Sequence, residues 1–363
     1  MTQGIDLRRL SEMTSNDRAF LSIYLSCPDS LNAIRKRVKN IEKMLKDNSD
    51  ESKHFSENMK LVNDHLSKVP YKSGGLCIFC CWLNDYFEVQ KLDIPVGDIV
   101  WVDSSPYIRP LAEFQDEYED FAVVVADNRS AKIYLVTSGT AEGEETIKGK
   151  VKNHVRVGGW SQQRYERRRD KQLHHYALDI VDKLTELDRE GEFRRIILVG
   201  SKETISEIRK VMPEHLVKQL VGEKALDMSR GEDYFDREIF DLFFEEERKS
   251  ERELWERIKG QYMRGGLAVV GVDDVLNAAK MARVEKMIVN RNAKFSGIRC
   301  RDCEGLFSGN LETCTECSSN SVFEVDLINE IVEILSTTGA EADFADEISE
   351  LKSVGDIAAL LRY

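Results

Sequence analysis

Short runs that are apolar along their whole length constrain this chain most. Residues 76–83, Leu-Cys-Ile-Phe-Cys-Cys-Trp-Leu, follow Gly74-Gly75 and carry no charge. Residues 121–126, Phe-Ala-Val-Val-Val-Ala, and 195–200, Arg-Ile-Ile-Leu-Val-Gly, are built alike. Runs of six to eight such residues are too short for typical helices and read as buried strands. Stretches of helical period separate them. Tyr176, Ala177, Ile180, Val181, Leu184 and Leu187 share one helix face. Strand and helix in alternation argue for α/β domains.

Other elements follow from the same pattern. Residues 20–25 read as a strand, 31–46 and 56–68 as charged amphipathic helices, and 86–94 as the partner of strand 76–83. Pro106 and Pro110 punctuate a loop, and the acidic residues 113–120 mark a boundary. Residues 132–137 form the hairpin partner of 121–126, and 138–145 are polar and contain Gly. A helix is expected at about 203–210. Residues 236–259 read as a long, solvated connecting helix with charges in short blocks. Strands at 266–272 and 286–289 and helices at 275–282 and 325–335 complete the reading. No internal repeat or low-complexity tract is evident.

At 363 residues the chain has room for two or three domains. Its net charge of −13 argues against a general nucleic-acid binder, so any RNA contact must come from a local patch. No apolar run approaches the ~20 residues of a membrane span. The sequence opens on mixed polar and charged residues rather than a signal peptide. The expected setting is the cytoplasm, with no membrane partner.

Eight cysteines fall into groups. Cys300-Arg-Asp-Cys303 and Cys314-Thr-Glu-Cys317 are two CxxC pairs. Each turn places two sulfurs on one side of a tight loop, and two turns can close a tetrahedral thiolate shell around Zn²⁺. Such a shell leaves no open position, so the zinc would be structural. The alternative is four reduced thiols. Cys77, Cys80 and Cys81 lie in an apolar run, where cysteine behaves as a small hydrophobe.

One segment inverts the sign of the chain. Residues 148–171 hold nine Lys or Arg against two Asp or Glu. Arg156, Arg164, Arg167, Arg168, Arg169 and Lys171 are the candidate phosphate contacts, because guanidinium forks bind phosphate oxygens. The alternative is a solvated helix face. Within the cluster, Gly158-Gly159 permits backbone conformations closed to other residues and close approach of another molecule. Trp160 is expected on a loop, placed to stack on a base, with Ser161 beside it. Gln162 and Gln163 supply amides able to hold a water.

This segment resembles the class I peptide-chain release factors of archaea and eukaryotes. Their middle domain carries a Gly-Gly-Gln loop followed by a Ser and an arginine-rich helix. Gly158, Gly159, Ser161, Arg164, Arg167, Arg169, His174 and Tyr176 match that segment without a gap, and Tyr165 replaces a Phe. Trp160 stands where the family has its catalytic Gln. The release-factor-like proteins of ribosome quality control are more similar still, with the glutamine slightly further along. Gly158-Gly159-Trp160-Ser161-Gln162 fits that variant, so Gln162 is the candidate glutamine and Gln163 the reserve. The resemblance extends to residues 195–201, 265–276, 326–344 and 360–363. Some archaeal members also carry paired cysteines.

The N-terminal part is less similar. The family's Asn-Ile-Lys-Ser tetrapeptide, used in stop-codon reading, is absent, and the nearest run is Asn40-Ile41-Glu42-Lys43. The Tyr-x-Cys-x-x-x-Phe element is missing around residues 101–107.

Pattern and resemblance together imply three α/β domains, with a small zinc-bound minidomain inserted in the C-terminal one. The expected bounds are 1–118 for a degenerate codon-recognition domain, 119–245 for the middle domain and 246–363 for the C-terminal domain. The resemblance implies hydrolysis of the peptidyl-tRNA ester inside the ribosome. Gly158 and Gly159 would let the loop enter, Gln162 would position water, and the arginines would grip large-subunit rRNA or tRNA. It also names a translational GTPase as a partner of the C-terminal domain. Codon-independent rescue of stalled ribosomes or large subunits is the leading expectation. Stop-codon termination, a non-catalytic ribosome-binding factor and a tRNA nuclease are the alternatives. A metal enzyme is disfavoured, because there are only six histidines and His174-His175 lies on the periodic helix.

Overall fold

The computed structural model describes residues 6–69, 74–92, 96–117, 121–128, 130–137, 140–148, 160–226 and 232–363. The chain divides into two compact units. One joins Met1–Glu117 to Glu251–Tyr363, and the other is Tyr118–Ser250.

The first segment runs α1 (Leu7–Ser11), β1 (Phe20–Leu25), α2 (Ser30–Met44), α3 (Ser49–Lys68), β2 (Gly75–Cys81), β3 (Tyr86–Leu92), β4 (Ile99–Asp103) and α4 (Arg109–Glu117). Its sheet is antiparallel in the order β3-β2-β1-β4. β1 is buried throughout because both faces are covered, and its one serine, Ser22, accepts the Tyr107 N–H at 2.9 Å. Leu21, Ile23 and Leu25 pack with Ile34 of α2 and with Phe55 and Val62 of α3. Tyr24 points the other way, with Cys77 and Phe79 of β2, into a core shared with the C-terminal segment. Burial pushes the Cys77 and Cys80 thiols up to about 12, as befits cysteines packed as small apolar groups.

Three expectations change here. α3 begins at Ser49 rather than 56, because the Asn48 side chain accepts the Glu51 N–H at 3.2 Å. The strand expected at 76–83 ends at Cys81. Trp82–Asn84 then forms a single 3₁₀ turn closed by left-handed Asp85, φ 52°. Pro106 lies in a loop after β4, as expected, but Pro110 and the start of the acidic boundary belong to α4. Pro110 sits in the first turn of α4, where a missing N–H costs no helical hydrogen bond. The amide that caps this turn comes from far along the chain: Asn329 Oδ1 accepts the N–H groups of Ile108 and Arg109 at 2.8 and 3.0 Å.

The middle unit runs β5 (Phe121–Ala126), β6 (Ser130–Thr137), β7 (Thr140–Lys148), α5 (Trp160–Glu190), β8 (Arg195–Gly200), α6 (Lys202–Val211), α7 (Glu214–Gln219) and β9 (Leu220–Ala225). Its sheet has the order β7-β6-β5-β8-β9. β5 and β8 are parallel, as are β8 and β9. Ala122, Val124, Ile196 and Leu198 face α5 and α6, while Val123, Val125, Ile197 and Val199 fill the core on the other side. β8 can end beside β5 only on glycine. Gly200 has φ +143°, and a Cβ there would lie 1.8 Å from the Ala126 carbonyl oxygen.

The chain continues through α8 (Glu232–Tyr262), β10 (Ala268–Val270), α9 (Val272–Lys280), β11 (Val284–Asn290), β12 (Ser296–Cys300), β13 (Leu306–Ser308), β14 (Val322–Asp326), α10 (Leu327–Thr338), β15 (Glu341–Ala345), α11 (Ser349–Ser353) and β16 (Ile357–Leu361). Two sheets result: β10-β16-β11-β15, and the small β13-β12-β14 that carries the CxxC pairs. α8 is not solvated all round. Leu254, Trp255 and Ile258 are buried among Ala268, Ile288, Ala358 and Leu360. The helix expected from residue 325 starts at Leu327, because Asp326 caps it by accepting the Ile328 N–H at 3.0 Å, and residues 322–326 are strand. The architecture is mixed α/β throughout.

Carboxylates are buried where α10 meets the N-terminal segment. Glu330 pairs with Arg299, and Ser105 donates to Glu333 at 2.6 Å. Burial pushes Glu330 up to about 7 despite Arg299, with Asp103 adding repulsion. Glu333 is raised well above the usual carboxyl range, first by burial and then by the Glu330 charge. An acid whose folded value is raised stabilises the fold below its unfolded value, and that contribution is lost as pH rises through the folded value. The urea midpoint should therefore fall between about pH 4.5 and 7. Glu330→Gln should flatten that fall, and an unchanged slope in the variant would contradict this assignment.

Candidate nucleic-acid interface and metal centre

α5 carries the basic cluster. Its 31 residues extend about 46 Å. Leu173, Tyr176, Ala177, Ile180, Val181, Leu184 and Leu187 anchor it in the core of the middle unit. Arg156, Gly158 and Gly159 lie outside the described residues. The helix opens at Trp160, so Trp160, Ser161, Gln162 and Gln163 occupy its first turn rather than a loop, and Arg164 follows. Backbone N–H groups in a first turn have no intrahelical acceptor, and the helix dipole makes that end positive.

The described side chains of the basic head begin at Arg167. Arg167, Arg168 and Lys171 are exposed. Arg169 differs: it is buried and paired with Glu203 in the first turn of α6. Its guanidinium thus ties α5 to α6 within the fold. One turn on, His174 Nδ1 lies 3.0 Å from Glu207 Oε1, and Glu207 also accepts from Lys210 at 2.9 Å. The two hydrogen bonds hold the Glu207 carboxyl below its usual range, Lys210 first and His174 second. Sequence reading did not find Glu203 and Glu207, although their spacing of four on an amphipathic helix places both on one face.

The four cysteines come together. Their sulfurs all lie within 4.8 Å of one another, with Cys300–Cys317 at 3.6 Å and Cys303–Cys314 at 3.4 Å. A tetrahedral thiolate shell at ~2.3 Å from its metal puts sulfurs about 3.8 Å apart. The two turns share one geometry. The Cys300 N–H donates to Gly305 O at 2.9 Å, and the Cys314 N–H donates to Ser319 O at 2.8 Å. Glu304 and Ser318, each just after the second cysteine of its pair, are left-handed at φ 59° and 60°. The donor set fits a thiophilic metal in a closed, structural site.

Residues 106–240 match the profile of bacterial archaeo-eukaryotic release factor family 10. Peptide chain release factor subunit 1 of Methanocaldococcus jannaschii is 26% identical over 406 aligned positions, spanning 98% of this chain and 96% of that protein. Over almost its whole length the chain is similar to an archaeal release factor subunit 1. The Archaeoglobus fulgidus release factor subunit 1 is 24% identical, over 72% of this chain and 70% of its own length. Among solved structures, an archaeal translation termination factor, aRF1, aligns over 98% of this chain and 96% of its own at 15% identity and a TM-score of 0.27. Dom34 of S. cerevisiae aligns over 82% and 75% at 12% identity and 0.40. Among the described residues, no helix is long and apolar enough to cross a membrane.

Arg169→Ala should lower stability by about 1–2 kcal/mol, because it strips a half-exposed Glu203 of its buried partner. Arg167→Ala and Arg168→Ala should stay within about 0.5 kcal/mol of the parent, as exposed substitutions do. Urea titrations of the three variants test this, and equal losses would contradict the inward role of Arg169.

Proposed function

We propose that this protein is a peptidyl-tRNA hydrolase that works inside the ribosome and frees stalled nascent chains without reading a codon. The observation that carries this is the joining of Gly158-Gly159-Trp160-Ser161-Gln162 to the N-terminus of α5. Its relatives bear the name of peptide chain release factors.

Ester hydrolysis needs a positioned water and stabilisation of a developing oxyanion. Gln162 holds the water through its amide, with Gln163 next to it in reserve. The free N–H groups of the first turn of α5 face the oxyanion, and the helix dipole adds to them. Gly158 and Gly159 let the backbone enter the ribosomal centre. Trp160 stacks on a base, with Ser161 in the same turn. Arg156, Arg164, Arg167, Arg168 and Lys171 grip large-subunit rRNA or tRNA phosphates, while Arg169 holds the head of the helix to α6. Catalysis here is orientation and preorganised dipoles, so the isolated protein is nearly inert. Codon independence is supported by Asn40-Ile41-Glu42-Lys43, which lies inside helix α2 and lacks the family tetrapeptide. The metal at the four cysteines is zinc in a structural role. The working compartment is the cytoplasm, and a translational GTPase is the partner at the C-terminal domain. On this reading the chain is three domains: 1–118, 119–245 and 246–363.

A second reading has one observation in its favour. Trp160 stands at the position of the family glutamine, as it would in a ribosome-binding factor that has lost hydrolysis.

Stalled ribosome–peptidyl-tRNA complexes with sense or stop codons in the A site separate these readings. Release should be equal on both, and Gln162→Ala and Gly159→Ala should each slow it about a hundredfold. Release confined to stop codons would make the protein a termination factor. Binding without release, on intact ribosomes and large subunits alike, would establish the non-catalytic factor.

A further inference from the structure

The cysteine centre has an arginine inside its first turn. Arg301 lies between Cys300 and Cys303, and its side chain leaves the knuckle for the N-terminal segment. Nη1 pairs with Asp17 Oδ1 and Nη2 with Glu51 Oε1, both at 2.5 Å. Asp17 precedes β1, and Glu51 is in the first turn of α3. The guanidinium also lies over the Phe323 ring at 4.8 Å, and Arg18 covers the same ring at 5.3 Å while donating to Glu324 O. Glu51 is only 3% exposed, so removing Arg301 would leave a buried carboxylate without this ion pair.

β12 pairs with β13 and β14, but the outer part of the knuckle has almost no core of its own. Between Gly309 and Ser318, Cys314 is the one buried residue. β13 has three residues, and Gly309 follows it directly. A segment with so small a core needs a metal to fix it. The Arg301 N–H donates to Ser321 O at 2.9 Å, which ties one side of its turn to the approach of β14, and closure of the turn at Cys303 fixes the other side.

We propose that metal binding at Cys300, Cys303, Cys314 and Cys317 latches the N-terminal sheet to the C-terminal part of its unit through Arg301, and that metal loss releases the latch. This rests on the metal reading of the four cysteines. The centre is then a conformational control on the N-terminal layer. Without metal, Arg301 swings free, buried Glu51 loses its partner, and the start of α3 and β1 open. The sheet of β10, β16, β11 and β15 has its own core and keeps its protection.

The test uses the full chain, with zinc content measured by elemental analysis and backbone amide exchange followed by mass spectrometry. The zinc-loaded chain should hold about one zinc. Chelation should speed exchange in α3 and β1 about a hundredfold while β11 and β16 change little. Arg301→Gln should bind zinc as the parent does, yet exchange like the chelated parent. Zinc binding with no change in α3 and β1 on chelation would overturn the latch and leave the metal reading intact. So would an Arg301→Gln chain as protected as the parent. A chain that binds no zinc would overturn both.

Discussion

A buried guanidinium at residue 109 determines much of what lies around it, because its donors gather four acceptors, three of them from a distant part of the chain. Arg109 donates through Nε to Glu113 at 2.8 Å and through Nη1 to Asp326 at 3.2 Å. Nη2 reaches the carbonyl oxygens of Arg291 and Ala293 at 3.0 and 3.1 Å. A planar fork with fixed donor directions can satisfy these acceptors at once, which a lysine could not. Asn329 adds its cap to the first turn of α4 beside it. This junction joins the first and last segments of the chain, so the second face of sheet β3-β2-β1-β4 is covered by C-terminal residues.

The sequence made the doubly covered strands legible, since an apolar run leaves no face for solvent. β1, β5 and β8 appear with the expected bounds, and the 86–94 segment does pair with β2. What escaped was fixed from a distance. The cap of α4 is more than two hundred residues away, so nothing local announced a helix that takes Pro110 into its first turn. The last two residues of β14, Val325 and Asp326, read as helix from sequence because the apolar pattern runs on into α10, and the Asp326 cap divides the two elements. α8 hid its anchoring face behind a high density of charge, yet Trp255 and Ile258 are buried. Among the site residues, the four cysteines converge as their spacing implied. The inward turn of Arg169 was illegible, because it depends on Glu203 in a different helix.

The middle unit separates anchoring from contact along one helix. From Leu173 onward α5 is held by apolar packing, and Glu203 and Glu207 of α6 secure its neighbouring polar turns. The exposed cations lie toward the N-terminal end. In a chain of net charge −13, positive charge is thus concentrated at this end of α5, where a polyanion would attract it while repelling the rest of the molecule.

The interrupted unit has a consequence for how the chain is made. Residues 118–250 are contiguous and can pack as soon as they are available, whereas residues 1–117 share their core with residues 251–363. During synthesis the first segment must wait with one face of its sheet uncovered while the middle unit emerges and folds. The apolar edge it shows meanwhile, around Tyr24, Cys77 and Phe79, is a sticky surface with a lifetime set by translation speed. Slow decoding across the middle of the message would lengthen that exposure, so codon usage there bears directly on the yield of folded protein.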